Sequence, residues 1–306
     1  MTKIKIGKWF RFLVLVMAIS ACNSEKHNYR FLFVGHTYDW TDWKGSTVDS
    51  RLENVDLSQF DGFWLGGDIC ANTSLNPNTF RYLNKLFDLG NPNSHFVLGN
   101  HDYRDNNLDF YFHATGRPDY YTSSFKNLVV SVVNTNLNSS DCENLDAQYE
   151  MLLNVTDTIS EASHYVIMMH HQIFKDIKGI EKFKSNGICP YYSMNCDRAD
   201  SYFETKIYPR LAKLEQQGLE VLIIVGDTGW DKGSEKESVD GVTFLASGIN
   251  NSYYLGKYVK PSSIRPDKVL IFELNTVDRK LSYEFVQLNE LSDTDFDDWF
   301  INFEKD

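Results

Sequence analysis

The sequence predicts an α/β fold, and three observations support this prediction. Apolar runs of strand length recur along the chain, helical signatures lie between some of them, and no linker divides the chain after residue 28. Alternation of strands with helices is typical of α/β proteins. A later segment of alternating polarity, 281–288, is expected to be an antiparallel edge strand. The predicted buried strands are 30–34, 62–65, 96–98, 128–134, 165–169, 219–225, 242–246 and 269–274.

Two helices are marked by their ends. Asn76 is a suitable N-cap, Pro77 suits the first turn, and Gly90 is expected to end this helix. A second helix is predicted over 200–217, where Gly218 stops it. The first helix places three apolar side chains on one face: Phe80, Leu83 and Phe87.

Composition narrows the class of protein. The chain has 306 residues, of which 42% are hydrophobic, so it can bury a sizeable core. The net charge of −12 and a pI near 5.1, with no cluster of Lys and Arg to interrupt the acidic balance, argue against a nucleic-acid-binding surface.

Residues 1–21 are interpreted as a signal peptide, because a basic segment precedes a short apolar run. Residues 19–22, Ile-Ser-Ala-Cys, resemble the lipobox of bacterial lipoproteins. This resemblance implies an acylated Cys22, a tether over 22–28, and a lipid-anchored protein of the bacterial cell envelope, on the periplasmic face of the outer membrane or at the cell surface. The alternative is an ordinary cleaved signal with a chance cysteine.

Four further cysteines suggest disulfides in an exported protein, with three possible connectivities. Cys189 and Cys196 flank a short loop and are the expected local pair. Cys70 with Cys142 follows by elimination. A zinc site is disfavoured because neither spacing is CxxC.

Polar residues follow two of the predicted strands after tight glycine turns. Gly67 and Asp68 follow strand 62–65, and the run Gly99-Asn100-His101-Asp102 follows strand 96–98. Oxygen and nitrogen donors of this kind suit a divalent metal and the water that it activates. The pattern therefore predicts ligands gathered at one edge of a sheet.

With these motifs, the chain resembles the calcineurin-like metallophosphoesterases, a superfamily that includes purple acid phosphatases and many phosphodiesterases. Its five motifs are DxH, GD, GNH followed by Asp or Glu, a lone His, and GHxH. The second, third and fourth are matched in order by 67–68, 99–102 and 169–171. The resemblance implies a four-layered α/β/β/α sandwich over 29–290, leaving 291–306 as an acidic C-terminal tail.

The resemblance also implies roles for the matching residues. Asp68 would bridge two metal ions, and Asn100 and His170 would bind the second of them. His101 would face the substrate and protonate the leaving oxygen, with Asp102 orienting its ring. A metal-bound hydroxide would attack phosphorus in line. In the pair His170-His171 only the first histidine would bind metal.

The first and last motifs depart from the family pattern. His36 and Tyr38 stand where DxH is expected, and Asp227 and Gly229 replace the two histidines of GHxH. One carboxylate has become an imidazole and one imidazole a carboxylate, so the site keeps two aspartates. We therefore expect metal ligands at His36, Asp68, Asn100, His170 and Asp227. Three residues near the altered positions are candidate replacement ligands: Tyr38, Asp39 and Asp231.

The altered motifs leave the metal count open between two ions in a rearranged shell, one ion, and none. Fe, Mn or Zn are the expected metals. The implied function is metal-dependent hydrolysis of a phosphomonoester or phosphodiester, either a small molecule or an envelope component. The alternative is a non-catalytic binding or structural lipoprotein of the envelope on the same fold.

Overall fold

The computed structural model describes residues 26–73, 76–104, 108–138, 140–181, 183, 196, 202–227, 234–249 and 266–294. The predicted signal peptide, Cys22 and most of the acidic tail lie outside these residues. The strands are β1 (Asn28–Val34), β2 (Gly62–Leu65), β3 (His95–Phe96), β4 (Tyr121–Phe125), β5 (Leu128–Val133), β6 (His164–Met169), β7 (Glu220–Val225), β8 (Ser234–Glu237), β9 (Thr243–Ala246), β10 (Lys268–Asn275) and β11 (Lys280–Gln287). The helices are α1 (Ser50–Glu53), α2 (Pro77–Phe87), α3 (Asp109–Thr115), α4 (Cys142–Thr158), α5 (Tyr208–Gln216) and α6 (Leu288–Leu291).

The strands form two sheets. The first has the order β11-β10-β1-β2-β3, in which β1, β2 and β3 are parallel. The second has the order β4-β5-β6-β7-β9-β8, with a parallel centre from β5 to β9 and antiparallel strands at both edges. The carboxyl ends of the parallel strands in each sheet therefore share one edge.

Three apolar clusters show four layers. Side chains alternate along β1, so Phe31 and Phe33 face the second sheet while Leu32 and Val34 face helices α2 and α3. The middle cluster lies between the sheets and contains Trp64, Val132, Met168, Ile224 and Phe272. One outer cluster packs α2 and α3 on the first sheet, and the other packs α4 and α5 on the second. The predicted α/β/β/α arrangement is confirmed.

Each predicted strand has a counterpart, including the antiparallel edge strand β11. The predicted strand 96–98 is wrong at its carboxyl end, because regular pairing stops at Phe96. The first predicted helix ends before Gly90, since Asp88 adopts the left-handed conformation with φ of 43° and its N–H donates to Asn84 O. The second helix begins with a π-helical turn, Phe203–Ile207, before α5. Helices α3 and α4 and strands β4 and β8 were not predicted.

The expected disulfides are wrong. Cys142 pairs with Cys196 across 54 residues, joining the start of α4 to the segment before α5, and Cys70 is a buried free thiol. Cys189 lies outside the described residues. Local spacing suggested a disulfide across a short loop, whereas the packing of α4 beside α5 brings distant cysteines together. Within the described residues, no helix is both long and apolar enough to cross a membrane.

Candidate metal centre

Three glycines allow the two sheets to meet at the edge where their parallel strands end. Gly35 and Gly66 follow β1 and β2 in the first sheet, and Gly226 follows β7 in the second. A Cβ atom on Gly35 would lie 2.5 Å from the Gly226 carbonyl oxygen, and one on Gly226 would overlap the Gly66 backbone. Glycine is required here because only a bare backbone permits this approach.

His36 follows Gly35 and Asp68 follows the Gly66-Gly67 pair, and both have an uncommon backbone conformation. His36 and Asp68 have φ values of 51° and 54°, in the left-handed region that non-glycine residues seldom occupy. Hydrogen bonds between the two turns hold them, from His36 N to Gly67 O at 2.8 Å and from Thr37 N to Asp68 O at 2.9 Å. Strain of this kind costs about 1–3 kcal/mol per residue and concentrates at functional sites.

Asp68 and His170 connect the two sheets through their side chains. His170 Nδ1 lies 2.8 Å from Gly66 O, so it carries a proton and donates to this carbonyl. Its Nε2 then faces Asp68 Oδ2 at 3.4 Å. This buried Nε2 has no ordinary hydrogen-bond partner in the described part of the chain. A nitrogen lone pair that faces a carboxylate requires a cation, either a proton or a metal ion.

The electrostatics of the pair agree with this requirement. Burial alone would raise the pKa of Asp68, but the charge of His170 outweighs it and holds the pKa below its usual range. Burial alone would lower the pKa of His170, but the Asp68 carboxylate raises it to about 9. In the metal-free protein the pair therefore holds a proton, and a metal ion would replace it.

His171 lies closer to the centre than the sequence predicted. One ligand atom from each of His170, His171 and Asp227 falls within 4.8 Å of the other two. His171 Nε2 lies 3.0 Å from Asn100 Oδ1, and Nδ1 lies 2.8 Å from Thr135 Oγ1. Burial and the charge of His170 lower the pKa of His171 to about 2, so its ring is neutral, as ligation requires.

The other predicted ligands surround this cluster. His36 is buried, with Nδ1 facing Ile249 O at 3.4 Å. Burial lowers its pKa against the opposing charges of Asp68 and Asp227, so His36 lies within electrostatic range of both carboxylates. Asn100 is exposed, and its Oδ1 faces His171 as described above. The donor set of imidazoles and carboxylates suits Zn²⁺, Mn²⁺ or iron. The residues present therefore fit a metal ion.

His101 is held on Asp68 but not by Asp102. Its backbone N–H donates to Asp68 Oδ1 at 2.8 Å. The ring Nδ1 lies 3.1 Å from Ala71 O and 2.6 Å from Arg104 Nη2. Sequence reasoning missed Arg104, although its position three residues after His101 in a turn was the available signal. Nε2 is the ring nitrogen left to face a substrate.

The predicted role of Asp102 is corrected. Its Oδ2 accepts hydrogen bonds from Asp68 N at 2.6 Å and Gly99 N at 3.0 Å, and its Oδ1 lies 3.4 Å from Ile69 N. Asp102 therefore fastens the turn after β2 to the turn after β3 instead of orienting the His101 ring. Burial and the nearby Asp68 carboxylate raise the pKa of Asp102 to about 7.

Aromatic rings form one wall beside the centre. Tyr38 lies between His36 and His101, with ring centroids 4.8 Å and 4.9 Å away, and the Trp40 ring packs against Tyr38 at a tilt, with centroids 4.6 Å apart. Asp39, a candidate replacement ligand, instead uses Oδ1 to accept hydrogen bonds from the Thr41 N–H and hydroxyl. Two further positions of interest, Gly229 and Asp231, lie outside the described residues.

No protein-family model matches the sequence, and no curated protein matches it. Among solved structures, GAP50, described as the anchor in the inner membrane complex of Plasmodium, is 14% identical with a TM-score of 0.50, over 87% of this chain and 86% of that one. The phosphopantetheinyl hydrolase PptH from Mycobacterium tuberculosis is 10% identical with a TM-score of 0.43, over 78% and 95%. Vps29 from Entamoeba histolytica, complexed with Zn²⁺, is 13% identical with a TM-score of 0.31, over 85% and 99%.

The similarity to GAP50 concerns the fold alone. The fold itself is an α/β fold of two packed sheets with helices on their outer faces. What the site does must therefore be argued from its own residues.

Proposed function

We propose that this protein is a metal-dependent phosphoesterase of the calcineurin-like superfamily, which hydrolyses a phosphomonoester or phosphodiester. The observation that carries the proposal is the Asp68–His170 contact across the two sheets, where a cation must lie beside a proton donor held on the same carboxylate. His36, Asn100, His171 and Asp227 complete the candidate ligands for one or two ions of Fe, Mn or Zn.

A metal bound by these residues would polarise a phosphoryl oxygen and lower the pKa of a water molecule. The chain itself supplies position and a proton. Asp68 fixes the His101 backbone, and Tyr38 lies beside the ring with the centroids 4.9 Å apart. Arg104 Nη2 can only donate to Nδ1, which leaves the proton of the neutral ring on Nε2. His101 Nε2 is thereby placed to give a proton to the leaving oxygen.

The test compares substrates that differ in leaving group. Chelator-treated protein is supplied in turn with Mn²⁺, Zn²⁺ and Fe²⁺ and assayed with phenyl phosphate, 4-nitrophenyl phosphate and the corresponding diesters. We expect His101→Ala to slow phenyl ester hydrolysis about 10²- to 10⁴-fold and 4-nitrophenyl ester hydrolysis much less, because only the poorer leaving group needs the proton. The control, His113→Ala, changes an exposed histidine on α3.

Equal slowing of both esters by His101→Ala would contradict the role of His101 as the acid. A protein that shows no turnover with any of the three metals would contradict the enzyme and favour a non-catalytic binding lipoprotein on the same fold.

We further propose that the mature chain is anchored in the bacterial cell envelope through acylated Cys22. The tether would lead into β1 at Asn28, and His36 stands at the opposite end of this strand, beside the metal centre. An anchored molecule would therefore turn its site away from the bilayer and toward substrates in solution. Labelling with a fatty acid that is lost in Cys22→Ala tests the anchor, and equal labelling of both proteins would contradict it.

A further inference from the structure

A cavity lies at the end of the molecule opposite the metal centre. Its volume is about 580 Å³. Three segments border it and leave it open to solvent: the turn between β4 and β5, the segment between α4 and β6, and the turn between β10 and β11. It is lined by His27, Lys126, Asn127, Glu161, Thr276, Val277 and Arg279. Since β6 starts beside this cavity and ends at the metal centre, the two sites are roughly 20 Å apart.

The cavity is basic in an acidic protein. Lys126 and Arg279 contribute cations from two neighbouring turns, and His27 contributes an imidazole. The Arg279 guanidinium is fixed by a hydrogen bond from Nη2 to Glu161 O at 2.7 Å. The Glu161 carboxylate is the one acidic side chain of the lining. The formal charge of the chain is −12, so two cations and a histidine at one cavity favour an anionic ligand.

A second and independent observation that favours a bound ligand comes from Asn127. The residue is only 5% exposed, and its backbone carbonyl oxygen accepts hydrogen bonds from Ser163 N and His164 N. Its Nδ2 donates to Ser163 Oγ, which fixes the side chain. Oδ1, however, has no hydrogen-bond partner in the described part of the chain. Because an unmatched buried acceptor costs about 1–3 kcal/mol, it calls for a donor from outside.

A groove of mixed polarity continues from the cavity. Its volume is about 410 Å³, and it shares Lys126 and Glu161 with the first cavity. Four hydroxyl groups line it, from Thr122, Ser124, Thr158 and Ser160. The groove is also lined by Val129, Val155, Ile159 and Ala162, so it suits a ligand that carries several hydroxyl groups on a carbon chain. Neither lining contains a Phe, Tyr or Trp side chain on which a nucleobase would stack.

We infer that this cavity binds a phosphorylated polyol, whose phosphate lies between Lys126 and Arg279 and whose hydroxyl donates to Asn127 Oδ1. Arginine recognises phosphate through paired N–H donors, and lysine adds a compact charge. A free glycerol phosphate and the headgroup of phosphatidylglycerol share this chemistry.

The test is calorimetric titration of the full chain in neutral detergent, with a chelator present to keep metal from binding the anion. The ligands are inorganic phosphate, glycerol 3-phosphate, dihexanoyl phosphatidylglycerol and dihexanoyl phosphatidylcholine. We expect glycerol 3-phosphate to bind and Lys126→Ala with Arg279→Ala to weaken this binding at least tenfold. The matched control removes two exposed cations of α2, with Arg81→Ala and Lys85→Ala.

The choice of ligands also distinguishes a soluble polyol phosphate from a lipid headgroup. Tighter binding of phosphatidylglycerol than of glycerol 3-phosphate supports the lipid headgroup, and equal or weaker binding supports the soluble polyol. Asn127→Ala is expected to remove the preference for glycerol 3-phosphate over inorganic phosphate, which a purely electrostatic patch would not show. The inference is overturned if none of the anions binds, or if the control weakens binding as much as the cavity variant does. Neither result depends on hydrolysis at the metal centre.

Discussion

Asp68 Oδ2 and His170 Nε2 lie 3.4 Å apart where the carboxyl ends of the two sheets meet. Asp68 follows β2 of the first sheet, and His170 follows β6 of the second. Neither sheet alone supplies the donors of the centre, so the packing of the sheets on each other creates it. The glycines at 35, 66 and 226 are part of the site for this reason, although they carry no chemistry.

His171 is expected to bind metal. We predict that His171→Ala weakens metal affinity more than 100-fold, because the ring nitrogen belongs to the cluster with His170 and Asp227. Thr135→Val is the matched variant, since it keeps the imidazole and removes the hydroxyl that contacts His171 Nδ1 and accepts from the His171 N–H, and it should cost about 10- to 100-fold. Affinity is measured by titration of the chelator-treated protein with Mn²⁺ or Zn²⁺. Unchanged affinity in His171→Ala would mean that only the first histidine of the pair is a ligand.

His95 is expected to make stability depend on pH. Burial and the charge of Arg117 lower its pKa to about 3, whereas the unfolded chain titrates near 6.5. Between these values the unfolded state binds the proton first, so the free energy of unfolding falls as pH decreases, by about 1.4 kcal/mol per pH unit. Urea unfolding from pH 7 to pH 4 should show a steeper loss for the wild type than for His95→Gln. Equal slopes would contradict this account.

The buried Arg51 is expected to contribute to stability far more than a surface arginine does. Its guanidinium donates to Asp49 and Asp267 at 2.8 Å and 2.5 Å and to Asn289 Oδ1 at 3.0 Å, which ties α1 to β10 and α6. We predict that Arg51→Met costs about 3–5 kcal/mol, because it removes the cation beside two buried carboxylates. Arg210→Met, which breaks an exposed pair with Asp157, should cost less than about 1 kcal/mol. Urea unfolding of both variants measures the difference, and similar losses would contradict the prediction.

The disulfide between Cys142 and Cys196 is expected to stabilise the fold by about 2–4 kcal/mol, since it closes a long loop of the unfolded chain. Cys142→Ser should lower the free energy of unfolding by this amount under oxidising conditions. Cys70→Ala is the control for loss of a thiol outside the bridge. Peptide mapping without reduction should recover the Cys142–Cys196 peptide, and a Cys189–Cys196 peptide in its place would contradict the structure.

The parts of the fold that were predictable depend on local signals. Buried strands are visible as apolar runs, and parallel strands bring their carboxyl ends to one edge of a sheet, so Asp68 and Asn100 could be placed together. His170 follows a strand of the other sheet, and its place beside Asp68 was expected only from the family resemblance. Helix α4 was missed although Leu145, Tyr149 and Leu152 recur at helical spacing and are buried. The many polar residues between these positions obscured the helical pattern.

The remaining features depend on tertiary contacts that residue types do not encode. The family resemblance assigned Asp102 to the His101 ring, yet the Asp102 oxygens accept hydrogen bonds from the Asp68 and Gly99 main chain. The left-handed conformation of His36 is imposed by hydrogen bonds with the adjacent turn. Arg104 reaches His101 only because the chain turns between them.

The most direct test measures bound metal and hydrolysis rate on the same preparations of wild type, Asp68→Asn and Asp157→Asn. Asp157 is an exposed carboxylate on α4, remote from the centre in its ion pair with Arg210, and serves as the control. The account predicts that wild type and Asp157→Asn bind metal and hydrolyse 4-nitrophenyl esters alike, whereas Asp68→Asn loses at least about 100-fold in both. Metal binding and hydrolysis at wild-type levels in Asp68→Asn would contradict the account.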